Sequence, residues 1–148
     1  VERAGMGDTT SGGSITGIYT VLADGDDTND PVVDSARAIL DGHVVLSRAN
    51  AQMGIYPAVD ISASISRVMN DIVDPKHLAA ARRMRQLVSL YMENRDLMLM
   101  GGYVEGQDAD LDQAVKLWPK IVEFISQRSD SRADFKTSIR DLLAVAGT

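Results

Sequence analysis

Apolar residues follow two different patterns along the chain, and the pattern changes near residue 70. Residues 14–22, SITGIYTVL, and residues 43–46, HVVL, are nearly continuous runs of apolar and β-favouring residues. Such runs without alternation are typical of strands that are buried on both faces, as in a parallel sheet. Between them, Asp30 and Pro31 can cap and begin a helix, and Gly42 can end it. The pattern therefore predicts a strand–helix–strand crossover unit.

Beyond residue 70 the apolar spacing is helical. Asp74–Pro75 predicts the start of a helix that continues to Gly101–Gly102. A second helix is predicted after Asp108, and Trp118–Pro119 is expected to break or bend it. A last helix can be capped by either residue of Asp130–Ser131. We therefore predict an all-helical region that follows the α/β region.

The predicted fold class is α/β followed by all-α, with one domain at residues 1–72 and a second at residues 73–148. Hydrophobic residues make up 45% of the chain and charged residues 24%, which is typical of a folded protein. The absence of cysteine excludes disulfides and thiolate metal sites, and it fits a reducing compartment. The net charge of -6 argues against a nucleic-acid partner.

Several side chains suggest chemistry of their own, and each has a simpler interpretation. The aspartates of residues 24–30 lack calcium-loop spacing, so turn, capping or contact roles are favoured. His43 and His77 have no second ligand at metal-binding spacing, which favours structural roles and predicts no metal site. The arginines of residues 82–85 form either a solvated helix face or a partner surface. Residues 11–17, SGGSITG, are rich in glycine but are not a GxxxxGK[ST] phosphate loop.

Residues 54–67, GIYPAVDISASISR, combine an aromatic ring beside a proline with a terminal arginine. Taken from the residues alone, Tyr56 is either a stacking platform restricted by Pro57 or part of the core. Arg67 is either a functional cation or one partner of a surface or interface salt bridge. The residues alone leave both alternatives open.

Long ordered strings of the chain resemble one protein family. These strings are VERAG, GGSITGIYTVLADGDDTNDPVVDSARAILDGHVVLSR, GIYPAVDISASISRVM and NRDLMLMGGYVEGQDADLDQAVKLWP. They are similar to the hexameric ATPases of bacterial flagellar and type III protein-export systems, which are relatives of the catalytic subunit of rotary ATP synthases. The string VDISASISR favours the export branch. The resemblance implies the distal part of a P-loop, RecA-like nucleotide-binding domain followed by a C-terminal helical bundle domain.

The resemblance also implies roles for three residues. Tyr56 would stack on adenine, Tyr103 would make a second adenine contact, and Arg67 would be an arginine finger that acts on the nucleotide of a neighbouring subunit. The family's P-loop lysine, magnesium-binding aspartate and catalytic glutamate have no counterpart here. We therefore expect ATP and Mg²⁺ to be used by a longer protein, from which this chain is a piece that begins at Val1. Alone, it should be inactive and bind neither tightly.

The implied function is protein export driven by ATP hydrolysis in a homohexamer, in either a flagellar or a virulence secretion system. The implied partners are a stalk-like coiled-coil protein, a peripheral-stalk regulator, export chaperones and export substrates. The acidic loop at residues 24–31 would face the central channel of the ring. The expected location is cytoplasmic and peripheral, beside the membrane export gate at the inner face of the bacterial cytoplasmic membrane. The alternative is a non-catalytic helical interaction module that docks stalk, chaperone or substrate proteins.

Overall fold

The computed structural model describes residues 4–8, 10, 12–22 and 31–147, apart from the side chain of Val32. The chain divides into two compact units, residues 1–41 and residues 42–148. The acidic run at residues 24–30 lies outside the described residues. The calcium and capping interpretations of this run, and the channel-facing loop, therefore remain predictions. The predicted domain boundary at residues 72 and 73 also remains a prediction.

The described residues of the first unit form two short strands and one helix. Strands β1 (Gly5–Met6) and β2 (Ser14–Ile15) pair antiparallel, and helix α1 spans Pro31–Ile39, as predicted. The predicted buried strand at residues 14–22 is wrong, because only its first two residues are a strand and Ile18 is 91% exposed. A strand buried on both faces needs a neighbour at each edge and a packed layer on each face. Among residues 4–8, 10 and 12–22, β1 is the only neighbour.

The second unit begins with an antiparallel pair of strands. Strand β3 (Gly42–Leu46) pairs with β4 (Val59–Ser66), and the short helix α2 (Arg48–Gln52) lies between them in sequence. The predicted parallel crossover is therefore wrong, because β3 pairs with the segment that follows it. Val44 and Leu46 on β3 are 70% and 71% exposed, so β3 is not buried on both faces either.

Strand β4 contains a large bulge. His43 pairs with Ile65 and Val45 pairs with Asp60, so one residue of β3 lies opposite the four residues 61–64. We call residues 61–64 the β4 bulge. Bulges redirect a strand and the side chains that follow it, and this one lies three residues before Arg67.

Four helices complete the second unit: α3 (Met69–Ile72), α4 (Pro75–Leu99), α5 (Ala109–Ile125) and α6 (Phe135–Ala146). The predicted starts of α4 and α5 are confirmed. The Asp74 carboxylate accepts from two backbone N–H groups at 2.9 Å, and Asp108 caps α5 in the same way. The predicted cap of α6 is wrong: Asp134 caps it, and Asp130 instead pairs with Arg128 at 2.8 Å.

The predicted break at Trp118–Pro119 is absent, because α5 continues through Pro119. Ala114 before the proline and Ile121 after it are both fully buried, so packing holds the two halves of α5 in one core. This burial offsets the loss of the backbone hydrogen bond that Pro119 cannot donate. The core also includes Ala80, Met84, Leu87, Val88, Leu142 and Ala146. Within the described residues, no helix has both the length and the apolar character that crossing a membrane requires.

Candidate functional site

A tight turn holds the backbone of Tyr56 while its side chain stays 57% exposed. On one side of the turn, the backbone N–H of Ser47 donates to the carbonyl of Ala58 at 2.7 Å. On the other side, the backbone N–H of Gln127, just beyond α5, donates to the Tyr56 carbonyl at 2.7 Å. The neighbouring Ile55 is 4% exposed and anchors the turn in the interior. The structure thus corrects the core-packing interpretation of Tyr56, because its ring faces solvent.

Asn50 organises this turn from within. It is only 8% exposed, and its Nδ2 donates to the carbonyl of Val59 at 2.9 Å. Its own carbonyl accepts from the backbone N–H of Ile55 at 3.0 Å. Gly54 takes φ of 75°, a left-handed conformation that glycine adopts without strain, and the Tyr56–Pro57 peptide bond is cis. The sequence analysis missed Asn50 and Gln127, because no local pattern links them to the turn.

One cavity of the second unit does not involve the predicted site residues. It has a volume of about 310 Å³, and its lining includes Ile55, Val88, Trp118, Asp60 and Glu93. None of Tyr56, Arg67 and Tyr103 lines it. Tyr56 and Arg67 are exposed, and Tyr103 is half-buried.

Arg67 directly follows β4 and is exposed. The three arginines of residues 82–85 on α4 contact three different elements. Arg82 Nη2 donates to Oδ1 of Asn70 at 3.1 Å, and Arg85 Nη2 donates to the Ser64 carbonyl at 2.8 Å. Arg83 bonds to α5, with hydrogen bonds to Asp110 at 3.4 Å and to Gln113. The cluster is therefore not one uniform solvated face, since each member bonds to a separate element of the second unit.

Tyr103 is held by the first turns of α5. Its hydroxyl donates to Oδ1 of Asp112 at 2.7 Å, and Oδ2 of Asp112 accepts from the backbone N–H of Gly106 at 2.8 Å. The hydrogen bond to Asp112 raises the pKa of Tyr103 to about 12, because ionising the phenol would break this bond beside a negative charge.

The two predicted adenine contacts lie toward opposite ends of α5. Tyr103 bonds to Asp112, and the carbonyl of Tyr56 bonds to Gln127 beyond the last residue of the helix. The helix rises about 1.5 Å per residue, so Asp112 and Gln127 are roughly 20 Å apart. The two tyrosines are therefore anchored near opposite ends of α5, and both adenine contacts remain predictions.

We expect the Tyr103 hydrogen bond to stabilise the fold below pH 10 and to lose this effect as the pH rises toward 12. The unfolded phenol has its ordinary pKa of about 10, and the folded one has a pKa of about 12. The unfolded state therefore releases its proton first, which favours unfolding in this window. Urea unfolding of wild type and Tyr103→Phe at pH 8 to 12 tests this. The stability difference between them should shrink above pH 10, and a constant difference would contradict the assignment.

Both histidines make structural contacts. His43 Nε2 lies 3.1 Å from the carbonyl oxygen of Ala63 in the β4 bulge. His77 is buried in the first turn of α4, and its ring packs edge-on against Phe135 at a centroid distance of 6.2 Å. In the described part of the chain, no group of three or more His, Asp or Glu side chains is arranged to hold a metal ion. We therefore assign no Mg²⁺ ligand here.

Comparison with known families decides the identity. Residues 73–144 match the family described as the T3SS EscN ATPase C-terminal domain. Residues 1–66 match the nucleotide-binding domain of the ATP synthase alpha/beta family. The chain belongs to the flagellar and type III secretion ATPases. The predicted combination of part of a nucleotide-binding domain with a helical domain is confirmed.

Individual relatives agree with this assignment. The flagellum-specific ATP synthase of Salmonella typhimurium is 52% identical over 142 residues, which cover 96% of this chain and 31% of the relative. The type 3 secretion system ATPase of Xanthomonas euvesicatoria is 43% identical, with 98% and 32% covered. The assembled ATPase EscN in complex with its central stalk EscO, from enteropathogenic E. coli, aligns with a TM-score of 0.86 and 39% identity, covering 99% and 34%. The chain thus spans about a third of the length of these relatives.

Proposed function

We propose that this chain forms the C-terminal part of an ATPase that hydrolyses ATP to drive flagellar or type III protein export. The observation that carries the proposal is the pair of exposed residues at the two ends of β4. Tyr56 precedes the strand in a turn held by hydrogen bonds on both sides, and Arg67 follows the strand directly. An aromatic ring can stack on a purine, and a guanidinium can bind phosphate oxygens.

The separation of these residues supports contact with two different chemical groups. The pairs Leu46–Val59 and Gly42–Ser66 mark the ends of the hairpin. Four residue steps of about 3.4 Å place these ends roughly 14 Å apart, and Tyr56 and Arg67 lie beyond them. In this proposal, Tyr56 stacks on the adenine bound by its own subunit. Arg67 reaches the phosphates bound by a neighbouring subunit and stabilises the charge on the transferring group.

The remaining parts of the proposal concern the assembly. The full-length ATPase would be a homohexamer that binds ATP with Mg²⁺ held by residues outside this chain. A stalk-like coiled-coil protein would occupy the ring, as supported by the relative EscN, whose structure was solved with its central stalk. We also propose a peripheral-stalk regulator, export chaperones and substrates as partners. The assembly would be cytoplasmic, beside the membrane export gate.

We expect the purified 148-residue chain to hydrolyse no ATP and to be mainly monomeric. The sequence contains no GxxxxGK[ST] loop, so it has no backbone cradle or lysine for the β- and γ-phosphates. Phosphate release with ATP and Mg²⁺ should equal that of buffer, and light scattering should give the monomer mass. Turnover that an ATP-site competitor abolishes would contradict the assignment of the catalytic groups to other parts of the full-length protein.

A second candidate is a non-catalytic helical interaction module. It is favoured by exposed apolar side chains where α4 ends and the next loop begins, since Leu99, Met100 and Val104 are 74%, 79% and 53% exposed. An exposed apolar group of this kind is typical of a protein-binding surface. The rate of ATP hydrolysis by a full-length ATPase separates the two candidates. If the chain is only an interaction module, Tyr56→Ala and Arg67→Ala should leave this rate unchanged.

In a full-length ATPase that contains this chain, we expect Tyr56→Ala to raise KM for ATP. Loss of one aromatic–base stack costs about 1–3 kcal/mol, which corresponds to roughly 5- to 150-fold. Adenine lies far from the reacting phosphate, so its contact is equally strong in the ground and transition states, and kcat should stay near wild type. Steady-state kinetics test this, with Tyr56→Phe as the matched control. If Phe behaved like Ala, the hydroxyl and not the ring would be the functional group.

A further inference from the structure

Two arginines of α4 hold the chain on either side of Arg67. Arg85 donates from Nη2 to the main-chain carbonyl of Ser64 at 2.8 Å. Arg82, three residues earlier on the same helix, donates from Nη2 to Oδ1 of Asn70 at 3.1 Å. Ser64 lies three residues before Arg67, and Asn70 lies three residues after it. Helix α4 therefore contacts both flanks of the segment that carries Arg67.

The first of these anchor points belongs to a well-connected part of the β4 bulge. The Ser64 hydroxyl donates to the carbonyl of Asp60 at 2.5 Å and accepts from the backbone N–H of Val45 at 3.0 Å. The Asp60 carboxylate accepts from the backbone N–H of Ala63 at 2.9 Å. These bonds tie the bulge to β3 and close it on itself. Because Ser64 is also bonded to Asp60 and Val45, the hydrogen bond from Arg85 attaches this connected end of β4 to α4.

A further contact one turn along α4 supports the same attachment. The hydroxyl oxygens of Ser62 in the β4 bulge and Ser89 in α4 lie 3.0 Å apart, within hydrogen-bond distance. Arg82, Arg85 and Ser89 are spaced three and four residues apart, so they share one face of the helix. This face of α4 carries a row of three polar contacts, and all of them reach the chain between residues 62 and 70.

We propose that Arg82 and Arg85 are positioning residues that hold Arg67 in place for its contact with nucleotide. This inference rests on the function proposed for Arg67 above. The planar guanidinium of each arginine donates hydrogen bonds in a fixed geometry, which suits the holding of a segment at a set distance and angle. It follows that a partner that shifts α4 on binding the helical region shifts Arg67 with it. The two arginines therefore couple the helical region to the ATPase site.

In a full-length ATPase that contains this chain, Arg82→Ala and Arg85→Ala should each lower kcat about 2- to 10-fold, the range for the loss of one hydrogen bond. The double variant should lower kcat further, and KM for ATP should stay near wild type in all three. Arg85→Lys keeps a donor for the Ser64 carbonyl but not the fixed geometry of the guanidinium, so its kcat should lie between those of Arg85→Ala and wild type. Asn70→Ala removes the acceptor of Arg82 and should match Arg82→Ala. Arg140→Ala removes an exposed arginine of α6 that pairs with Asp141, so it is the control for loss of charge.

A cycle with Arg67→Ala separates positioning from a general structural role. If Arg82 and Arg85 act through Arg67, removing them in an Arg67→Ala background should cause no further loss of kcat. Hydrogen exchange on the double variant gives a readout without catalysis. Amides 65–69 should exchange faster than in wild type, while the amides of α5 should be unchanged.

The outcomes distinguish this inference from the proposed function. If Arg67→Ala keeps the wild-type kcat, the role proposed for Arg67 is wrong and the inference falls with it. If Arg67→Ala lowers kcat but the Arg82→Ala/Arg85→Ala variant keeps it, the inference alone is overturned. The inference is also overturned if the double variant lowers kcat further in the Arg67→Ala background, or if exchange of amides 65–69 is unchanged.

Discussion

Arg67→Ala in a full-length ATPase should lower kcat for ATP hydrolysis about 10- to 10³-fold and leave nucleotide binding near wild type. Arginine fingers in other phosphoryl-transfer enzymes are worth roughly 10³–10⁵ in kcat. We expect the lower end or less, because ring assembly can limit the wild-type rate. The contact is with charge that develops in the transition state, so its loss affects kcat and not KM. Steady-state kinetics and equilibrium binding of a nucleotide analogue measure the two effects separately.

One further variant and one mixing experiment define how Arg67 acts. Arg67→Lys should restore little activity, because an ammonium group cannot reproduce the planar fork of the guanidinium. Mixed assemblies of Arg67→Ala subunits with subunits that lack a working P-loop test action between subunits. Hydrolysis should reappear when the intact P-loop of one subunit receives Arg67 from its neighbour. If assemblies shown to be mixed recover no activity, Arg67 acts within its own subunit or has only a structural role.

The largest effect on stability is expected from Ile121→Ala. Ile121 lies in α5 with no exposed surface, in the core shared with Ala80, Met84 and Leu87 of α4. Truncating a buried isoleucine loses apolar burial and leaves a cavity, at a cost of about 2–5 kcal/mol. Urea unfolding of the 148-residue chain, with the free energy extrapolated to water, measures this cost.

Ile72→Ala is the matched control for this variant. Ile72 ends α3 and is 72% exposed, so the same change in side-chain volume creates no buried cavity. We expect its effect to stay within about 0.5 kcal/mol. Equal costs for the two variants would contradict the placement of the core between α4 and α5.

The sequence alone identified the family and singled out Tyr56 and Arg67, but it left their exposure open. The turn around Tyr56 shows where this prediction ends. A tyrosine beside a proline is visible in the sequence, but its exposure depends on Asn50 and Gln127, which hold the turn from other parts of the chain. Tyr103 shows the same limit, because its bond to Asp112 of α5 cannot be recognised from the local sequence.

Local chemistry determined the starts of α4 and α5. A capping aspartate bonds to backbone N–H groups two and three residues ahead, so Asp74 and Asp108 can be recognised without knowledge of the rest of the chain. Only the tertiary structure decided the features that depend on distant residues. These are the antiparallel pairing of β3 with β4, the bulge within β4, the continuity of α5 through Pro119, and the partners of the arginines on α4. The physical reason is that these features depend on contacts between residues far apart in the sequence. Such contacts determine which strand pairs with which, which helix face is buried and which acceptor a long side chain reaches, and the local sequence does not specify them.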